Sequence, residues 1–459
     1  MGQYISSEEQ GTFFAVDEPS RRRKDKESMD ADFAYMASTG DLEGLRSLWR
    51  AYKSGWVELD PFGSDNRSFI LACSAGHIEV VNFLLDEVLP ESRRRLTNSR
   101  VCEALQLAAQ NGHPRVVRSV LGSFGPAYFG VDGISKAFSN AAHGGCVASM
   151  SEIYAVAGDR YLDRTFVEDA IVRSAFEGKV DALIYMVESL GFDPSVNDNE
   201  AFRRAAAAGH LHVLEYLWDL KKARGIGIDP TAKDNEAFCH AAESGRLNVL
   251  EFLCRLEGVK IDPSASHEHL GRNYAFLRAA QNGHCRVLQF IASLETFDPK
   301  DVSLRSSIWL AAIRGCISTI VFLCDRLYDV FEPEDFKCAI SHAVRGNHMD
   351  AVKYLWSVGQ FDDREALILE LFFLGTVHKN VDVLAWAKRV KDESKMAFFP
   401  DYTKGVAILR VEQAQNHELR RALQVLHFLR NMKLRGEMEL DLRRVEDSID
   451  KFEIHLARN

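Results

Sequence analysis

The sequence predicts an all-α protein, a solenoid of stacked helical pairs with short loops between repeats and a helical cap at its C-terminal end. Three observations carry this reading. The phrase DNEAFRRAAAAGHLHVLEYLWDL at 198–220 returns as DNEAFCHAAESGRLNVLEFLCRL from 234 and as RNYAFLRAAQNGHCRVLQFIASL from 272. Its apolar residues recur at helical spacing on either side of a central glycine. That glycine returns at a mean interval of roughly 34 residues, a period that calls for a repeat architecture before any other fold. A catalytic motif need occur only once, whereas a phrase repeated along a chain builds by stacking.

Taking the glycine as an anchor places Gly40, Gly76, Gly112, Gly145, Gly178, Gly209, Gly245, Gly283 and Gly315 in register, followed by Asn347 and the weaker fit Lys379. A turn between two helices can demand positive φ, which glycine adopts most readily and asparagine next. Seven residues before the anchor stand Phe33, Phe69, Leu105, Phe138, Ile171, Phe202, Phe238, Phe276, Ile308, Ile340 and Phe372. Four before it the residue is small in every repeat but the first, as at Ala72, Ala205, Ala241 and Ala343. After it, Leu211, Leu214 and Leu217 recur as Leu247, Leu250 and Leu253, and as Cys285, Leu288 and Ile291. That spacing predicts one apolar stripe on the second helix. Each pair cannot bury its own stripe, so its neighbours complete the core.

With AAAAGHLHVLEYL, AAQNGHCRVLQFI and CSAGHIEVVNFLL on the page, the chain resembles the ankyrin-repeat family over residues 30–390, about eleven repeats. The resemblance implies a protein-interaction scaffold and names no partner. The family's TPLH opening is absent, replaced by NEAF or NYAF, and the connecting segments FDPSVND and IDPTAKD are short. Recurrent Asp-Pro pairs, at 60, 193, 229, 262 and 298, fit turns. Stubby loops are therefore expected in place of β-hairpin fingers.

Composition narrows the function classes. The formal charge of −10 argues against a general nucleic-acid binder, so no nucleic-acid partner is expected. Nine cysteines without a C-x-x-C pair read as small thiols in a reducing compartment rather than as a disulfide framework. Phosphate-loop, nucleophile-elbow, zinc-protease and kinase motifs are all lacking, so no enzyme activity and no cofactor are expected. The alternative of chemistry hidden in the last 70 residues has no motif behind it.

Candidate binding residues come from the column five before the anchor. Arg173, Arg204, His240 and Arg278 occupy it in successive repeats, Arg203 extends it, and Arg314 and Arg345 lie near in register. Such a line could hold an acidic or phosphorylated protein partner through guanidinium contacts. The plainer reading is solvated arginines whose stems cover neighbouring helices. The histidines beside the anchor (His77, His113, His210, His284) are expected to bond loop backbone. His267 and His269 stand in an insertion and lack the further ligands of a zinc site.

The two ends differ from the middle. Residues 1–29 read as a flexible tail in which Gly2 and Ser6 match the N-myristoylation pattern. One acyl chain gives membrane affinity of only about 10⁴ M⁻¹, so a second signal is needed. Arg21, Arg22, Arg23, Lys24 and Lys26 form the candidate basic cluster, which also fits a nuclear import signal. The expected location is cytoplasmic with peripheral membrane attachment, and nuclear is the alternative. Residues 391–459 read as a charged helical pair hinged near Gly436, in which Met438, Leu442, Val445, Ile449, Phe452 and Leu456 make a short coiled-coil-like seam. An end cap is the first expectation there, and a homodimer helix the second.

Overall fold

The computed structural model describes residues 26–90, 96–265, 271–393, 424–429, 431–432 and 449, and these are all-helical, with no strand among the described residues. The chain divides into two compact units, 1–170 and 171–459. In the first, the helices are α1 (Lys26–Thr39), α2 (Leu42–Lys53), α3 (Gly63–Ala75), α4 (Ile78–Phe83), α5 (Asn98–Gln110), α6 (Pro114–Phe124), α7 (Pro126–Gly144) and α8 (Val147–Ala157). Odd-numbered helices pack on odd and even on even, so α1, α3, α5 and α7 form one layer and α2, α4, α6 and α8 the other.

The boundary falls within α9 (Arg164–Phe176). The second unit continues with α10 (Val180–Ile184), α11 (Val196–Ala208), α12 (Leu211–Arg224), α13 (Ala232–Glu243), α14 (Leu247–Cys254), α15 (Tyr274–Asn282) and α16 (Cys285–Ala292). It ends with α17 (Ser306–Arg314), α18 (Ile317–Leu327), α19 (Pro333–Arg345), α20 (Met349–Val358), α21 (Arg364–Val377) and α22 (Val381–Glu393). The same alternation holds: α11, α13, α15, α17, α19 and α21 form one layer, while α10, α12, α14, α16, α18 and α20 form the second.

The columns behave as the packing argument requires. Every residue seven before the anchor, from Phe33 to Phe372, has 0% exposure. Alanines at the next turn (Ala72, Ala205, Ala241, Ala279, Ala311, Ala343) are also fully buried and let adjacent first helices approach. All eleven anchors have positive φ, from 55° at Lys379 to 91° at Gly209, so the weak fit at Lys379 is in register. The second-helix stripe needs correction. Leu211, Leu247 and Cys285 are only half-buried at the turn edge, whereas Val213, Val249 and Val287, two residues later, are in the core. Steps of three drift around a helix of 3.6 residues per turn, and the core follows the mixed spacing of Val213, Leu214 and Leu217.

The Gly-His phrase is a joint between repeats. A Cβ built on Gly245 would lie 2.6 Å from the ring of His284, and one on Gly40 would lie 2.7 Å from His77. Each ring then reaches a carbonyl at the end of the preceding first helix: His77 Nε2 to Ser38 O at 3.0 Å, His113 to Ser74 O at 3.1 Å, His284 to Glu243 O at 3.0 Å and His348 to Ile313 O at 3.1 Å. Terminal helix carbonyls have no intrahelical donor, so these bonds satisfy them. Where the anchor is Asn347, the next repeat brings Asn380 instead, whose Nδ2 donates to Asn347 Oδ1 at 2.7 Å.

A second joint stands where the family opening is missing. Asn66, Asn199, Asn235 and Asn273 are buried and have positive φ. Asn199 Oδ1 accepts from the Asp229 amide at 3.1 Å, and Asn235 Oδ1 from Asp262 at 3.4 Å. Asp30 does the same for Asp60 at 2.7 Å. Thus α1, α11 and α13 each clasp the loop of the next repeat. The loops are short Asx turns: Asp193, Asp229 and Asp262 each accept from the amide and hydroxyl of the Ser or Thr two residues on.

Candidate functional site

The predicted basic line lies on first helices of the second unit, and the partners of Arg203, Arg204, His240 and Arg278 are residues of the chain itself. Arg203 is buried, donating to Glu236 Oε2 at 2.5 Å and to the carbonyls of Asp198 and Asn197 at 3.0 and 3.1 Å. His240 stands between two carboxylates, with Nε2 3.0 Å from Glu236 Oε1 and Nδ1 3.3 Å from Glu243 Oε2. Arg278 packs its guanidinium over the Tyr274 ring at 5.3 Å, donates to Gln281 at 2.7 Å and lies 3.7 Å from Glu243. Arg204 is exposed and bonds Glu200 at 3.2 Å. Arg173 is exposed at the same register on α9.

These partners come from the same columns. Glu200 and Glu236 stand nine before their anchors and Glu243 stands two before, one helical turn from the basic column. Sequence reasoning passed over these carboxylates although their four- and three-residue spacing was readable. The result is a network linking α11, α13 and α15 through Arg203–Glu236–His240–Glu243–Arg278. Its chemistry is that of a clamp. The nearby Cys239 thiol is pushed up to about 12 by burial first and then by Glu236, which keeps it protonated and unreactive.

Further along the same layer the pattern changes. Arg305 is occupied by Asp335 and Glu332, at 2.7 Å each. Arg314 and Arg345, in the last turns of α17 and α19, are exposed and form no ion pair among the described residues. Between them the indole of Trp309 stacks on His342, centroids 5.4 Å apart at 24°. His342 is held below its ordinary pKa by partial burial and then by Arg345, as is His378.

A shallow cavity is found in each unit. The first, of about 230 Å³, lies between α1 and α3 and is lined by Asp30, Tyr35, Pro61, Arg67 and Leu71. The second, of about 260 Å³, opens over Phe276 beside Phe297, Pro299 and Phe322. Pro194, Pro230 and Pro263 are buried in their loops, whereas Pro299 is exposed, which leaves this space unfilled.

None of the nine cysteines forms a disulfide. Among the described residues no three His, Cys, Asp or Glu side chains gather as metal ligands, and no helix is long and apolar enough to cross a membrane. Gly2, Ser6, Arg21, Arg22, Arg23, Lys24, His267 and His269 lie outside the described residues. Lys26 opens α1, inside the stretch read as tail, with its ammonium 3.8 Å from Asp60. Of the C-terminal seam only Ile449 is described; it is buried, as are Val425, Leu426, Leu429 and Met432. No family model matches the chain, and no curated protein matches it.

Proposed function

We propose that this protein is a non-enzymatic scaffold of ankyrin-like repeats that holds a partner protein on its first helices. The single observation behind this reading is a division of labour within those helices. Positions seven, four and three before the anchor are buried and nearly uniform in type. Positions nine, five and two before it are mostly half-buried or exposed and change identity from repeat to repeat, as in Glu200–Arg204–Ala207, Glu236–His240–Glu243 and Cys338–His342–Arg345. A scaffold needs an invariant interior and a varied face, because recognition is written in the face.

Affinity purification with quantitative mass spectrometry tests this. Partners captured by the wild type are expected to be lost when exposed residues of α17, α19 and α21 are charge-reversed without change in melting temperature. An identical partner set from both proteins would reject the reading. The sequence pattern at Gly2 and Ser6 supports a cytoplasmic scaffold tethered to membranes by N-myristoylation and aided by the basic residues at 21–26. Intact mass from eukaryotic cells, with Gly2→Ala alongside, tests that arm. A gain of about 210 Da that the variant lacks is expected, and an unmodified glycine leaves a soluble or nuclear adaptor.

A further inference from the structure

We propose that the face formed by α17, α19 and α21 is a docking shelf for a partner-protein segment in which aromatic or aliphatic side chains are flanked by carboxylates. The proposal rests on the scaffold reading above and names the place and the chemistry of recognition. Three observations support it. The shelf has an apolar, partly solvent-facing floor: Trp309 stacked on His342, half-buried Ile313, and Phe373 at 44% exposure in the same register two repeats from Trp309. Phe373 is exposed in the column that the stacked indole occupies two repeats before it, so one column offers apolar surface at two points along the layer.

The shelf is also electrically one-sided. At the start of α19 the carboxylates are engaged, Asp335 and Glu332 by Arg305 and Glu334 by Lys337 at 3.1 Å, while Glu370, midway along α21, accepts from the Ser341 hydroxyl at 3.4 Å. Toward the turns stand Arg314 and Arg345, both exposed and without an ion pair among the described residues. The C-terminal ends of α17 and α19 favour cations in the last turn, which holds these guanidiniums at the rim without consuming their hydrogen-bond donors. Partial burial first, and then the Arg345 guanidinium, hold His342 and His378 below the ordinary histidine value, so Arg345 stands near both rings.

The occupant follows from complementarity. Carboxylates of an extended segment would meet the Arg314 and Arg345 guanidiniums along the turn edge, while its apolar side chains cover the Trp309 indole and, two repeats on, the Phe373 ring. A basic segment would meet like charge at the same edge. The row on α11, α13 and α15 offers no such site, because Arg203, Arg204, His240 and Arg278 are each held by a residue of the chain itself.

The test uses the full chain and a fluorescein-labelled peptide of two phenylalanines flanked by glutamates, with a lysine-flanked twin, read by fluorescence anisotropy. The wild type should bind the glutamate peptide at least tenfold more tightly than its twin. Combined Arg314→Ala and Arg345→Ala should weaken it at least tenfold, Trp309→Ala should do likewise, and Arg204→Ala should leave it unchanged. Arg314→Lys with Arg345→Lys should retain part of the binding, and Trp309→Phe replaces Trp309→Ala if that variant melts early. Equal binding of the two peptides, or equal loss in Arg204→Ala, would overturn the proposal. So would a dimer broken by Arg345→Ala, which would make a second copy the occupant. If the peptide fails to bind while charge reversal of these helices still removes cellular partners, the shelf chemistry is wrong and the scaffold stands. If neither responds, the scaffold reading fails.

Discussion

Helices α11, α13 and α15 belong to the same layer as α17, α19 and α21 and share their register, yet they present opposite surfaces. In the first group every predicted cation is answered from within: Arg203 by Glu236, Arg204 by Glu200, His240 by two glutamates, and Arg278 by Glu243, Gln281 and the Tyr274 ring. In the second, Arg314 and Arg345 stand on the helices of the stacked Trp309–His342 pair and form no ion pair among the described residues. A column of basic residues in a sequence is therefore not yet a binding surface. What matters is whether the acids one turn away on the same or next helix consume the charge.

The comparison assumes one scaffold beneath both surfaces, and the largest predicted effect tests that. Phe238→Ala on α13 and Phe372→Ala on α21 remove side chains with 0% exposure from the same column. Each should cost about 3–5 kcal/mol in urea unfolding. A near-neutral Phe372→Ala would break the register of the last repeat and with it the comparison.

The next effect separates the two surfaces. Glu236→Ala strips the buried Arg203 of its carboxylate and His240 of one of two, and should cost about 1–3 kcal/mol. Arg345→Ala should cost under about 1 kcal/mol, since only its favourable place at a helix end is lost. Equal costs, measured by the same unfolding midpoints, would mean the clamp is no clamp.

The joints give a smaller contrast. Gly245→Ala places a Cβ against His284 at φ 74° and should cost about 1–2 kcal/mol. Lys379 holds φ 55°, a conformation that costs a residue with a Cβ, so Lys379→Gly should stabilise by up to about 1 kcal/mol. Paired thermal melts of the two variants check the sign difference.

The smallest effect concerns protons. His342 and His378 have folded pKa values below the ordinary histidine value, through partial burial and then Arg345. Between folded and unfolded values the unfolded chain binds more protons. This contribution to stability is therefore present above the ordinary histidine pKa and is lost as pH falls through the folded values. Arg345→Ala should move both titrations upward in NMR spectra of the imidazole protons. Unmoved titrations would remove the positive edge from the shelf.

Much of the scaffold was readable before any coordinates, because it rests on repetition. Phe33 through Phe372 could be aligned by counting from a glycine, and even Lys379 keeps the positive φ its place demands. The error at Leu211, Leu247 and Cys285 came from following a three-residue interval beyond the turn where it holds. The role of Asn199 and Asn235 was not readable, since their partners are backbone amides of Asp229 and Asp262 roughly thirty residues on. The proposed binding surface was legible only as an inventory of cations. Pairing decided which of them were spent, and Glu236 serves both Arg203 on the preceding helix and His240 on its own.

The most direct test measures unfolding midpoint and glutamate-peptide affinity side by side for Arg203→Ala and Arg345→Ala. The account predicts a crossed result: Arg203→Ala lowers the midpoint and keeps the affinity, while Arg345→Ala keeps the midpoint and loses the affinity. Both variants weakening the same property, or the cross running the other way, would contradict the claim that one scaffold carries a spent surface and an open one.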